Sequence, residues 1–188
     1  MYYHASPVRD IAVLEPRISN HGKPLVYLSR KRENVLVYLS NAIERYCKET
    51  GFAHEGIWQK WAAYGFDPDG IQRIEEYYPD ALKKTYQGVS GYIYSAEAVI
   101  TPDFDPRIPD AVATGEQVKV TGAEFVADAY LAILEAAEKG LVRIRRYEDS
   151  TSKQLEWIRT TIRKEYEEAA AHPEYRHFLK GNFPDILG

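Results

Sequence analysis

The chain has 188 residues, with 24 Lys and Arg against 28 Asp and Glu for a net charge of −4, and one cysteine. That length buries a core without disulfide or metal staples, and a lone Cys47 forms no internal disulfide. The charge balance lacks the broad positive surface that counterion-release binding needs, which disfavours nucleic acid as a partner. No apolar run approaches the roughly 20 residues of a membrane span, and the opening residues carry no leader pattern, so a soluble, cytoplasmic protein is expected.

In chain order, Met1 to Tyr3 reads as a short edge strand, and Leu25 to Ser29 as a buried strand bounded by Gly22 and Pro24. Val35, Leu39, Ala42, Ile43 and Tyr46 then fall at helical spacing up to Gly51, with Ser29 placed to cap the first turn. Phe52 to Gly70 holds Trp58, Trp61, Tyr64 and Phe66 among glycines and prolines and reads as a short helix and a loop. Its tryptophans fit either packing or a ligand cleft. Ile71 to Glu76 is a candidate strand, Pro79 suits the first position of a helix running to Tyr86, and Gly91 to Ala98 alternates as a strand.

Thr101 to Thr114, with three prolines, is expected to be loop. Glu116 to Val120 alternates as a half-buried strand, and Thr121-Gly122-Ala123-Glu124 has the spacing of a capping box for a helix ending at Gly140. Leu141 to Tyr147 follows as a strand. Ser150 is a candidate cap for a last long helix, which Pro173 would end. The sum is an α+β chain with no fixed-period repeat.

Tyr3-His4-Ala5-Ser6 precedes the Tyr27 strand, and ten residues separate Tyr27 from Tyr38 in the second Val-Tyr-Leu-Ser run. With Glu116 opening a late strand, this set resembles the His-Tyr-Glu signature of the ADP-ribosyltransferase fold. It is most similar to the diphtheria-toxin type and more loosely to the rifampin ADP-ribosyltransferases. About the first 45 residues and the Glu116 strand carry the match. The resemblance implies one domain over residues 1–188 with a split β-sheet core and flanking helices, and the unmatched stretch 52–86 reads as a helical insertion or divergent part.

It also implies NAD as substrate, with nicotinamide released and ADP-ribose moved to an acceptor, protein or small molecule; water as acceptor would make the same site a glycohydrolase. Tyr27 and Tyr38 would sandwich the cationic nicotinamide ring by stacking and cation-π attraction. His4 would anchor a ribose, the Ala5 backbone would meet the carboxamide, and Ser29 closes the Tyr27 strand beside them. Glu116 would stabilise the oxocarbenium-like ribose, with Glu97 as its competitor. Ala5 stands where the motif commonly has Gly, and Thr114 where arginine-specific transferases have a second glutamate, so an arginine acceptor is not supported. A catalytically silent nucleotide- or protein-binding module is the alternative class. The five histidines show no metal-ligand spacing, and no metal is called for.

Overall fold

The computed structural model describes residues 1–18, 22–55, 63–97 and 106–188. Trp58, Trp61 and the first part of the 101–114 stretch therefore lie outside the described residues. The chain is α+β and packs as two units. The first comprises Met1–Ser40, Phe66–Arg73 and Tyr86–Arg143; the second comprises Asn41–Gly65, Ile74–Thr85 and Ile144–Gly188. Residues of the 52–86 stretch are thus shared between both. Among the described residues no helix is long and apolar enough to cross a membrane.

The first unit is organised by β1 (Tyr2–Ser6), which is an interior strand and extends beyond the edge strand expected over Met1 to Tyr3. After it come the two-residue strands β2 (Val13–Leu14) and β3 (Arg17–Ile18), then β4 (Pro24–Ser29). Ser29 ends β4 and does not cap a helix; its Oγ accepts from the Lys31 amide at 3.1 Å and turns the chain. A 3-10 helix, Glu33–Leu39, follows. The continuous helix expected up to Gly51 is broken at Ser40, whose backbone is extended. Asn41 restarts it by accepting from the Ile43 and Glu44 amides, and α1 (Ala42–Thr50) ends at left-handed Gly51.

Next come β5 (Tyr64–Phe66), β6 (Gln72–Glu75) and α2 (Ala81–Tyr86). Pro79 does not open α2, because Asp80 has a left-handed φ of 59° and the helix begins after it. β7 (Gly91–Ala96) lies where alternation places it, whereas β8 (Ala111–Thr114) is a strand inside the stretch expected to be loop. Only Val118–Lys119 (β9) of the strand expected over 116–120 is regular.

Thr121 to Glu124 does not form a capping box, since Gly122–Val126 is strand β10. A Cβ at Gly122 would stand 2.7 Å from Ser95 Oγ, so a larger residue there would make the Ser95 side chain shift. Asp128 is the cap of α3 (Ala129–Glu138) and accepts from the Leu131 amide at 3.1 Å. β11 (Val142–Arg145) and α4 (Ser152–Glu168) follow. Thr151, not Ser150, caps α4 through a full capping box with Gln154. Pro173 begins α5 (Pro173–Asn182), where its missing amide costs nothing, and α6 (Pro184–Leu187) closes the described chain.

The main sheet has the order β10-β7-β1-β4-β3, with β8 also paired to β4, all pairs antiparallel. β2 pairs β9, and β11, β6 and β5 form a three-stranded sheet in that order. Val26, Leu28, Ala96 and Val112 pack with Leu14 and Val118 on one face of the main sheet. The 3-10 helix covers the other face: a Cβ at Gly91, whose register partner is Val126, would meet Leu39 Cδ2 at 2.7 Å. In the second unit, Ile43 and Cys47 of α1 pack with Ile158 and Ile162 of α4 and with Tyr175, Phe178 and Leu179 of α5.

Candidate nucleotide site

Pleating decides which of the sequence-predicted residues can share a ligand. Register pairs place Ala5, Ile93 and Glu124 in one row across β1, β7 and β10, and His4, Tyr94 and Ala123 in the next. Alternation along a strand sends these rows to opposite faces. Tyr3 pairs Ser29, so Tyr3, Ala5, Tyr27 and Ser29 belong to one face and His4 to the other. Val26 and Leu28 alternate with Tyr27 and lie in the core of the His4 face, which fits this assignment. Tyr38 is carried by the 3-10 helix on the Tyr27 face and is half exposed, between buried Val37 and Leu39.

The structure therefore brings Tyr27 and Tyr38 to the same side of the sheet. His4 meets them only at the seam between β1 and β4. Regular pairing along that seam is short: β4 shares four register positions with β8, from Val26↔Thr114 to Ser29↔Ala111, but only Tyr3↔Ser29 with β1. Beyond that position His4 Nδ1 lies 2.9 Å from the Tyr27 carbonyl oxygen. A carbonyl only accepts, so Nδ1 carries the hydrogen and donates. Burial holds the His4 pKa below its ordinary value, with the Tyr27 carbonyl pulling it back up and Arg17 lowering it further. The ring is thus neutral at pH 7, and Nε2 presents a lone pair that can accept from a hydroxyl.

Several groups fasten the chain after the strand that carries this histidine. Tyr94, its register partner on β7, is almost fully buried and donates from Oη to the Val8 carbonyl at 2.6 Å. The same oxygen accepts from the Ile11 amide at 3.3 Å, which ties down the segment after β1. Ser6 Oγ accepts from the Val8 amide at 3.2 Å, and Ala5 is buried. Tyr94 was legible as a strand residue from the alternation of Tyr92, Tyr94 and Ala96, but its anchoring role carries no local signal.

Acid placement departs from the sequence pattern. Glu116 does not open a strand; it is exposed in the bend after β8, where its amide donates to Thr114 Oγ1 at 3.1 Å. It lies three residues beyond Ala113, the register partner of Tyr27, past the end of β8. Glu97 is exposed just past β7. A third carboxylate was hidden by the false capping box: Glu124 shares the Ala5 row. Its oxygens accept from Arg32 Nε at 2.8 Å and Nη2 at 2.5 Å, and this guanidinium holds the Glu124 carboxyl below its usual range. Lys31 pairs with Asp110 at 2.9 Å, and the Arg30 amide donates to the Asp110 carbonyl at 2.8 Å, fastening the exit of β4 to the entry of β8.

No family model, no curated protein and no solved structure matches this chain.

Proposed function

We propose that the protein binds NAD at the β1–β4 seam and transfers ADP-ribose to an acceptor, protein or small molecule, with release of nicotinamide. The observation that carries this reading is the His4 ring bonded to the Tyr27 carbonyl where regular pairing of the two strands is limited to a single register position. The Tyr-His-Ala-Ser run and the Tyr27 and Tyr38 spacing support it, as does the position of both tyrosines on one side of the sheet. Within this reading the ADP-ribosyltransferase-like split sheet is the framework, and the briefly paired seam is its split.

Each residue then has a task set by its chemistry. Tyr27 and Tyr38 flank the nicotinamide ring, whose positive charge favours aromatic faces. His4 Nε2 accepts from a ribose hydroxyl, and the Ala5 and Ser29 backbones border the carboxamide. As the glycosidic bond breaks, its electron pair leaves with nicotinamide and neutralises the pyridinium. The ribose carbon becomes oxocarbenium-like until an acceptor lone pair attacks it. Glu116, three residues past the Tyr27 register row on β8, stabilises that charge electrostatically.

The exposed position of Glu116 favours a second reading, a catalytically silent module that holds the nucleotide without breaking it. Nicotinamide release separates the two. Release by wild-type protein that is lost in Glu116→Gln, with NAD affinity changed less than about threefold, is the expected result. Binding without release in wild type supports the silent module. Neither binding nor release in the folded protein overturns both.

A further inference from the structure

The second unit carries a groove of about 350 Å³ alongside α5, lined in part by Phe52, Tyr166, Arg176, His177 and Lys180. Its construction follows from the amphipathic pattern of α5. Tyr175, Phe178 and Leu179 are buried in the core, which leaves Arg176 and Lys180, one turn apart, on another face. Both cations stand over the same Tyr166 ring, the Arg176 guanidinium carbon 4.1 Å and Lys180 Nζ 5.7 Å from its centroid. Stacking on one ring holds two like charges close together.

Neither cation makes an ion pair among the described residues. The neighbouring carboxylates are engaged elsewhere: Glu165 accepts from Tyr175 Oη at 2.9 Å, Glu168 pairs with Lys164 at 3.6 Å, and Glu174 lies 3.8 Å from His172. Arg176 Nε is buried without a hydrogen-bond acceptor. A guanidinium placed in this way lacks an anion. The lining also includes an aromatic pair. Phe52 stacks on His177 with centroids 4.2 Å apart and planes 10° apart, and His177 Nε2 lies 2.8 Å from Thr50 Oγ1, which fixes the ring. Phe52 nevertheless stays 37% exposed, enough to offer contact area to a ligand.

We propose that this groove binds a phosphate monoester whose organic part is a flat ring, the chemistry of a nucleoside monophosphate. Arg176 and Lys180 take the phosphate, the former with its forked donors, and the Phe52–His177 pair flanks the ring. The inference does not rest on the NAD reading, since every residue it uses belongs to the second unit.

The test is an amide NMR titration of the full chain with inorganic phosphate, AMP and adenosine at constant ionic strength, following Arg176, His177 and Lys180. Saturable shifts are expected with phosphate and with AMP, AMP binding about tenfold more tightly because stacking adds to charge. Lys180→Met is fully compatible with folding because this side chain is exposed, and it should weaken AMP severalfold; Arg176→Met with Lys180→Met should lose at least about tenfold. Tyr27→Ala should leave these affinities unchanged, which keeps failure of the NAD reading distinct from failure here. Shifts that never saturate, that chloride reproduces, or that persist in folded Lys180→Met at wild-type affinity would overturn the proposal.

Discussion

Replacing His4 by Phe isolates the seam interaction. The phenyl ring fills the imidazole volume, so no cavity opens, but the Nδ1 donor 2.9 Å from the Tyr27 carbonyl is removed. Losing this part-buried hydrogen bond costs about 1–2 kcal/mol. For a chain of this size that corresponds to roughly 2–8 °C in Tm. The pH dependence is the sharper readout. The folded-state pKa of His4 lies below the unfolded value of 6.5, so between the two the unfolded chain binds more protons and stability rises with pH. This contribution is fully present above about pH 6.5 and is lost as pH falls toward the folded pKa. Urea unfolding of wild type and His4→Phe at pH 7.5 and 5.5 subtracts every other titrating group. Wild type should lead at the higher pH, and its lead should shrink at the lower. A lead that grows on acidification would mean that His4 is charged in the folded protein, and would refute the neutral acceptor at Nε2.

Three further outcomes follow from the packing. Glu76 is 3% exposed and accepts from the Leu82 amide at 2.9 Å and from Arg146 Nη1 and the Tyr147 amide at 3.3 Å. Glu76→Ala strands all three donors and should cost about 3–5 kcal/mol, read as a lower urea midpoint; a loss under about 1 kcal/mol would show that water replaces the carboxylate. Gly91→Ala forces a Cβ to 3.1 Å from the Ser6 carbonyl oxygen as well as onto Leu39, and should cost about 1–3 kcal/mol by the same assay. A neutral result there would show that the 3-10 helix yields. Arg143 donates to Asp67 and Asp69 and holds the Asp69 pKa at about 2. Stability from that pair is present above about pH 4 and lost as pH falls toward 2, so Arg143→Gln should move the acid-unfolding midpoint upward; an unchanged midpoint would show that solvent screens the pair.

What could be read from the sequence was what depends on near neighbours. The alternation of β7, the Leu25 to Ser29 strand and the end of α3 at Gly140 were all legible. Strand pairing was not: β1 is interior because β7, with register Ala5↔Ile93, closes on it from far along the chain, and nothing within Tyr2 to Ser6 announces that partner. The Thr121 to Glu124 pattern misled because a Thr-x-x-Glu spacing suits a helix start only if the carboxylate turns back to its own backbone. Here the Glu124 carboxylate is taken by Arg32. Ser40 and Asn41 hid a break inside an unbroken apolar period, since periodicity does not register two extended residues. At the site, the spacing of Tyr27 and Tyr38 was visible, but the face of Tyr27 depends on the single β1–β4 pair Tyr3↔Ser29, and that of Tyr38 on the packing of the 3-10 helix over Gly91. Glu116 was expected to open a strand, and the bend that forms there, with its amide bonded to Thr114 Oγ1, carries no signal in the alternation of 116–120.

The most direct measurement is a calorimetric titration of NAD into wild-type protein and into Tyr27→Ala, with circular dichroism confirming that the variant is folded. Saturable binding by wild type that weakens by at least about tenfold in the variant is the expected result, since a stacking face is removed from the nicotinamide. NAD binding of equal affinity in both proteins, or none to folded wild type, would contradict a nucleotide site at the seam.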